Sequence, residues 1–394
     1  MSRLDELISK YCPNGVEVKK LREVSYMQRG TSLTKAKAVT GNIPVISGGK
    51  EPAFYCNSLN RNGETITVAG SGAGAGYVQY WNTPIFANDC FTVKGNKFAE
   101  TKYLYYFMTN IQDKISDTKK GGGVPHVHIS DVENFSLLVP PLEVQREIVH
   151  ILDNFTELTA ELTAELTARK KQYEFYRNKL LTFDNKVKIV PLADIADIGT
   201  GSSNTNEGLE EGKYPFYVRS QEPLRKNEYE YDETAIITAG DGVGVGKVFH
   251  YIEGKYALHQ RAYRIHINTP DVLPRYYFHY MRAAFLPYIQ KTMFQGSVAS
   301  VRRPMLNKFP VPVPPLDTQK RLVNVLDNFE SICTDLNIGL PAEIEARQKQ
   351  YEYYRDLLLT FAAEGATILT DRQTDRQTDR QTDRQTDRQT DRQT

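Results

Sequence analysis

A chain of 394 residues is longer than an ordinary single domain and points to two or three. Its 40% apolar and 11% aromatic residues can build sizeable cores, which excludes a disordered chain. Forty-nine basic residues almost cancel 48 acidic ones, so no global basic field exists and a nucleic-acid partner would have to be held by local patches. No apolar run approaches the roughly 18 residues of a membrane span, and the N-terminus lacks a signal-peptide core. A soluble, cytoplasmic protein with no membrane partner is expected. Cys12, Cys56, Cys90 and Cys333 show no C-x-x-C spacing, which argues against a zinc knuckle or disulfide framework and for isolated buried thiols.

In chain order, the first region has the texture of a compact α+β domain. Runs such as Thr65-Ile-Thr-Val and Cys90-Phe-Thr-Val read as strands between Gly, Pro and Asn turns. Tyr103-Leu-Tyr-Tyr-Phe-Met reads as one buried helix. Between them lies Gly70-x-Gly72-x-Gly74-x-Gly76, which is neither G-x-G-x-x-G nor a P-loop and is expected to form a tight turn. The segment Lys119-Lys-Gly-Gly-Gly-Val-Pro-His126-Val-His128 is polar, locally basic and glycine-rich.

A Pro-Pro pair then opens a stretch with no Gly or Pro from Leu142 to Phe183. Ile148, Leu152, Phe155, Leu158, Leu162, Leu166, Tyr173, Tyr176 and Leu180 recur there at helical spacing. Such a helix would reach about 60 Å at 1.5 Å per residue. It contains a four-residue repeat of Glu-Leu-Thr-Ala over 156–168. Each unit adds about 6 Å of helix while turning it only about 40° past a full turn, so the apolar stripe survives a change in copy number. The repeat can act as a ruler.

From here the chain is written again. Val139-Pro-Pro-Leu-Glu-Val-Gln145 recurs 174 residues later as Val313-Pro-Pro-Leu-Asp-Thr-Gln319, and Gln172-Tyr-Glu-Phe-Tyr recurs 178 residues later as Gln350-Tyr-Glu-Tyr-Tyr. The glycine tract recurs as Gly240-x-Gly242-x-Gly244-x-Gly246, and the basic loop as Gly296-Ser-Val-Ala-Ser300-Val-Arg302-Arg303. Ala262-Tyr-Arg-Ile-His-Ile and Tyr276-Tyr-Phe-His-Tyr-Met-Arg read as a strand and a buried helix. The second helical stretch holds Gly339-Leu-Pro341, which should break or kink it. Two stripes too long for either α+β region to bury are expected to pack on each other as an antiparallel pair. From Thr370 the chain is six copies of Thr-Asp-Arg-Gln and a final Thr, with no apolar residue, and reads as a solvated tail with no binding role.

Catalytic readings find little support. Asp241 with Glu253-Gly-Lys255 resembles a nuclease's acidic residue and E-x-K, but the first copy has Ser71, Thr83 and Ile85 at the corresponding places. Val-Pro-Pro-Leu lacks the polar residue of an amino-methyltransferase loop. No Ser-His-Asp elbow or H-E-x-x-H occurs, and His126 and His128 lack a third metal ligand. The chain reads as one that binds and does not catalyse. Basic side chains on the paired loops can neutralise phosphates, while Arg, His and Ser can reach base edges. Lys119, Lys120, His126, His128, Ser300, Arg302 and Arg303 are the candidate DNA contacts, with no catalytic, cofactor or metal residue named.

Carried by the duplicated Pro-Pro-Leu-x-x-Gln-Arg/Lys…Leu-Asp-Asn-Phe and Gln-Tyr-Glu-Phe/Tyr-Tyr-Arg…Leu-Leu-Thr-Phe blocks, residues 1–364 closely resemble the specificity (S) subunit of type I restriction–modification systems. The resemblance implies an α+β fold of two tandem target-recognition-like domains separated by two long helices packed as an antiparallel coiled-coil pair. The expected organisation is a first recognition domain at 1–138, a first spacer helix at 139–186, a second recognition domain at 187–312, a second spacer helix at 313–364 and the repeat tail at 365–394. The resemblance also implies double-stranded DNA, two methyltransferase subunits and restriction–translocase subunits as partners. It places S-adenosylmethionine, ATP and Mg²⁺ in those partners and no cofactor in this chain. The alternative is a stand-alone DNA-binding or scaffolding protein of the same architecture.

Overall fold

The computed structural model describes residues 2–121, 123–292 and 300–361. The Thr-Asp-Arg-Gln tail, and residues 296–299 of the second basic loop, lie outside the described residues. The chain divides into two units, Met1–Ala160 with Ala346–Thr394, and Glu161–Glu345.

The first unit opens with helix α1 (Arg3–Tyr11), started by a capping box in which Ser2 and Asp5 exchange side-chain and backbone bonds. Strand β1 (Glu17–Lys20), the short α2 (Leu21–Val24) and β2 (Ser25–Arg29) follow. Then come β3 (Ile43–Ile46), β4 (Phe54–Cys56), β5 (Thr65–Ala69), β6 (Val78–Trp81), β7 (Phe86–Ala87) and β8 (Cys90–Gly95). Helices α3 (Thr101–Asn110), α4 (Gln112–Asp117) and α5 (Ile129–Val132), strand β9 (Ser136–Val139) and the long α6 (Leu142–Leu180) complete the run, α6 belonging to the second unit from Glu161 onward. The sheets have the orders β2-β8-β5-β6, β4-β3-β7 and β1-β9. Strand β5 is buried along its whole length, as a central strand of Thr, Ile and Val should be.

The second unit repeats this plan. Its elements are β10 (Lys188–Pro191), β11 (Ala196–Thr200), β12 (Tyr214–Tyr217), β13 (Leu224–Lys226), β14 (Tyr231–Ala239), β15 (Phe249–Leu258) and β16 (Ala262–Ile267). Helix α7 (Pro274–Thr292), α8 (Arg303–Asn307), strand β17 (Pro310–Val313) and α9 (Leu316–Thr334) follow, and then α10 (Leu340–Thr360), which belongs to the first unit from Ala346 onward. Here β11-β16-β14-β15-β12-β13 form one six-stranded sheet, with β10-β17 apart. The difference has a local cause. Strand β15 runs through in one piece past Gly254 at φ +106°, whereas its counterpart is cut into β6 and β7 around Asn82-Thr83-Pro84.

In both units the buried tyrosine helix is tied to the helix after the Pro-Pro pair by the same joint. Gln145 is fully buried; its Oε1 accepts from Glu100 N at 2.9 Å and its Nε2 donates to the carbonyls of Phe98 and Pro140. Gln319, also fully buried, accepts from Leu273 N at 2.8 Å and donates to Asp271 and Pro314. Tyr103 donates to Leu138 O and Tyr276 to Pro312 O, each at 2.9 Å. This is the physical content of the repeated Pro-Pro-Leu-x-x-Gln block: one buried side chain satisfies two backbone groups at the start of the tyrosine helix and one in the Pro-Pro pair.

The long helix α6 covers 39 residues and stops three short of Phe183. The leucines of its repeat, Leu158, Leu162 and Leu166, are half-buried on one face. Within the first unit Phe155 stacks on Tyr354 at 5.4 Å, and Leu358, Leu359 and Phe361 share a core with Ile148 and Leu152. Within the second, Tyr176 lies 6.1 Å from Phe329, and Leu322, Leu326 and Cys333 share a core with Tyr173 and Leu181. Within the first unit the earlier residues Ile148 and Leu152 share a core with the later Leu358, Leu359 and Phe361, while Phe155 meets the earlier Tyr354, the antiparallel sense. The second copy breaks between α9 and α10, at Gly339 and Pro341. Gly339 packs so closely that a β-carbon would stand 2.6 Å from Ser331 O.

Candidate nucleic-acid interface

In the first unit β5 leaves the sheet at Gly70 and turns through the glycine tract. Gly72 (φ +80°) and Gly76 (φ +82°) adopt left-handed backbone that L side chains rarely take. Gly74 is required by close approach, since a β-carbon would lie 2.3 Å from Gly48 O. The basic loop closes on this turn. Lys120 and His126 exchange backbone hydrogen bonds at 3.0 and 2.8 Å, Val127 N donates to Gly70 O at 3.1 Å, and Gly72 N donates to Pro125 O at 3.0 Å.

The turn and loop form the rim of a cleft of about 410 Å³ lined by Arg29, Ser71, Asp89, His126, His128 and Ser130. The His126 and His128 rings lie parallel with centroids 6.0 Å apart. Ser71 Oγ donates to Asp89 Oδ2. Lys120 reaches Asp131 at 2.5 Å. Burial alone would raise the Asp131 carboxyl, but the Lys120 ammonium and the His128 N–H outweigh it and hold it below the usual range. His128 also precedes α5 as its N-cap residue.

The second unit builds the same rim. Gly242 (φ +81°) and Gly246 (φ +70°) repeat the left-handed positions, and a β-carbon on Gly244 would meet Arg219 O at 2.5 Å. Val301 N donates to Gly240 O at 2.8 Å. Asp241 bridges to Ser300 as Ser71 bridges to His126. Arg302 is the N-cap residue of α8 as His128 is of α5. Asp241 lies between two guanidinium groups, 2.7 Å from Arg219 Nη1 and 3.1 Å from Arg261 Nη1. Burial would raise its carboxyl, but these two partners hold it below the usual carboxylate range.

Lys119, Lys120, His126, His128, Ser300, Arg302 and Arg303 are all exposed. The structure brings His126, His128 and Lys120 together in one unit, and Ser300 and Arg302 in the other, on equivalent rims. Lys120 differs from the rest because its charge is already committed to Asp131. The sequence reasoning missed Arg29, at the end of β2, and Asp89, Arg219 and Arg261, which lie in connections beside other strands. The available signal was that the second glycine tract carries Asp241 where the first carries Ser71, a charge needing partners.

The nuclease arrangement does not assemble. The register Tyr231↔Tyr256 to Thr238↔Phe249 puts Lys255 at the end of the β14–β15 hairpin remote from Asp241. Among the described residues one trio could in principle ligate a metal: His279, Asp327 and Glu330. Both carboxylates are already paired, Asp327 with Arg275 at 2.8 Å and Glu330 with Arg275 and Arg282. At the equivalent place in the first unit, Asp153 takes Lys102 and Tyr106. Two guanidinium groups make the trio a helix joint, not a cation site.

The fold and its two rims define a class: a duplicated protein in which each unit presents a similar but differently charged surface. The particular family is settled by comparison. A family model described as the type I restriction modification DNA specificity domain matches residues 13–169 and again 184–346. A protein of Haemophilus influenzae named as a type I restriction enzyme specificity subunit is 30% identical, over 88% of this chain and 96% of its own. The EcoR124I/EcoR124II specificity subunit of Escherichia coli is 31% identical, over 92% of this chain and 97% of its own. The chain belongs to the type I restriction–modification DNA specificity family. The S subunit from M. genitalium superposes with a TM-score of 0.58 at 17% identity, covering 88% of this chain and 96% of that one, and shares the fold.

Proposed function

We propose that this chain is the DNA specificity subunit of a type I restriction–modification complex. Each rim reads one half of a bipartite, asymmetric target, with Lys119, His126, His128, Ser300, Arg302 and Arg303 among the contacts. The observation that carries the reading is one frame built twice, with different exposed side chains on each copy. The organisation follows: recognition domains at 1–138 and 187–312, spacer helices at 139–186 and 313–364, and the tail at 365–394 outside the recognition surfaces. The helices dock two methyltransferase subunits, which restriction–translocase subunits join. Methyl transfer from S-adenosylmethionine, and ATP- and Mg²⁺-dependent translocation and cleavage, belong to those partners. Among the described residues no helix is long and apolar enough to cross a membrane, and we place the complex in the cytoplasm with its DNA.

The test is single-molecule methylation mapping of DNA from cells expressing this gene with and without its methyltransferase. A split, asymmetric methylated motif that needs both proteins is expected. Stable expression of both with no motif would favour the stand-alone alternative. Deleting Thr159–Leu162 shortens α6 by about 6 Å and should change the gap between half-sites while leaving their sequences alone.

A further inference from the structure

Because the chain holds the same rim twice, it carries its own control, and equivalent positions can be compared side chain by side chain. Hydrogen bonds define the equivalence. Gly70 N donates to Asp89 O where Gly240 N donates to Arg261 O, at 3.1 and 2.9 Å. The bridges Ser71·His126 and Asp241·Ser300 correspond, as do the N-cap residues His128 and Arg302. The carbonyls of Gly48 and Arg219 press on the third glycine of their tracts. The frame keeps its identity in both copies: four glycines, and Val127 matched by Val301. The positions that face outward all differ. Gly48 becomes Arg219, Ser71 becomes Asp241 and Ala73 becomes Val243. Asp89 becomes Arg261, His126 becomes Ser300 and His128 becomes Arg302.

We propose that this ring of six positions is where each unit reads base edges, and that the Arg219–Asp241–Arg261 bracket reads guanine. The inference deepens the function proposed above and rests on it. The Asp241 side chain is only 20% exposed and holds two arginines that are 39% and 62% exposed, each through Nη1. A phosphate contact would need no such carboxylate, which cancels part of the charge a phosphate seeks. What the carboxylate does provide is orientation. It sets two planar forks before binding, so less side-chain freedom is lost on contact. A fork so held matches O6 and N7 of guanine in the major groove. At the tip of the turn, Val243 is 95% exposed between two glycines, an apolar side chain suited to a thymine methyl. In the first unit the corresponding places hold the acceptor Asp89, fixed by Ser71, beside two imidazoles. That set suits the amino group of cytosine. Two rims of opposite hydrogen-bonding character explain how one frame reads an asymmetric target.

The experiment uses the full chain with its methyltransferase, comparing wild type, the double variant Arg219→Lys/Arg261→Lys, and Asp89→Asn. Methylated motifs are mapped, and DNA affinity is followed over a salt series. The lysines keep the charge and lose the fork. Discrimination at guanine positions of one half-site should therefore relax by about 5- to 150-fold per contact, with the other half-site and the salt slope unchanged. Asp89→Asn should relax only the other half-site. If the lysine variant leaves both half-sites intact, or weakens binding to all sequences alike, the arginines are not base readers and the inference is overturned. A wild-type complex that methylates no motif would overturn the proposed function, and this inference with it.

Discussion

The joint that ties each β-rich fold to its long helix and the rim at the other end of that fold differ in what the two copies share. At the joint the two copies are nearly superimposable in chemistry: Gln145 and Gln319 make the same three bonds, and Tyr103 and Tyr276 the same fourth. At the rim the backbone is equally well copied, yet every outward side chain named above has changed. Buried groups that satisfy backbone donors and acceptors tolerate no substitute, since each orphaned group costs about 1–3 kcal/mol. Exposed side chains on a glycine frame carry no such obligation. Specificity can therefore diverge without loosening the architecture.

That contrast can be broken most forcefully at the joint. Gln145→Leu and Gln319→Leu each remove three hydrogen bonds from a fully buried site and should destabilise their own unit by about 3 kcal/mol or more. Thermal unfolding with limited proteolysis resolves which unit opens; an unchanged midpoint would show that the glutamines are not structural. Next come the frame glycines. Gly74→Ala and Gly244→Ala place a β-carbon 2.3 and 2.5 Å from a backbone oxygen, so each should cost about 1–3 kcal/mol. The two effects should match, and a large inequality would mean that the rims are not equivalent frames.

A smaller effect separates the units by pH. His250, His259 and His279 all belong to the second unit, and burial holds each below the usual imidazole range. For His279 burial outweighs the facing carboxylates of Asp327 and Glu330, and Arg275 adds to the lowering. A depressed folded-state pKa favours the neutral ring. The stability it contributes is complete above the unfolded value of about 6.5 and is lost as pH falls through the folded value. The second unit should lose stability on acidification below about pH 6.5, a loss that His279→Gln reduces. In the first unit the counterpart of His279 is Tyr106, which burial and Asp153 push further up, away from this range. Proteolytic susceptibility of each unit measured at about pH 7.5 and about pH 5.5 checks this; equal sensitivity of both units would contradict it.

The smallest expected effect distinguishes neighbouring lysines. Lys120 already pairs with Asp131, so Lys120→Ala should change stability by about 1 kcal/mol or less. It should also leave the salt dependence of DNA binding nearly unchanged. Lys119→Ala and Arg303→Ala should each lower the salt slope by about one if they meet phosphates. A slope that responds to Lys120 as strongly as to Lys119 would mean that the Asp131 pair opens on DNA.

Much of this was legible in the residues. The two glycine tracts read as turns because neither carries a phosphate-binding pattern, and the buried tyrosine helices and the break at Gly339-Leu-Pro341 stand where composition put them. The strand pairing was not legible. Arg219 and Arg261 lie 22 and 20 residues from Asp241, on segments that only the sheet register brings to its two sides. The same register separates Asp241 from Lys255 and dissolves an arrangement that linear spacing had suggested.

Local chemistry was thus decided along the chain. Helical periodicity, the glycines that permit left-handed turns, and the duplication itself are properties of short segments and survive in one dimension. Tertiary structure alone decided which half of each spacer helix meets which partner, and which outward side chains share a rim. Those outcomes depend on contacts across tens to hundreds of residues, where burial and hydrogen-bond satisfaction of the whole unit, not the preference of any segment, selects the partner.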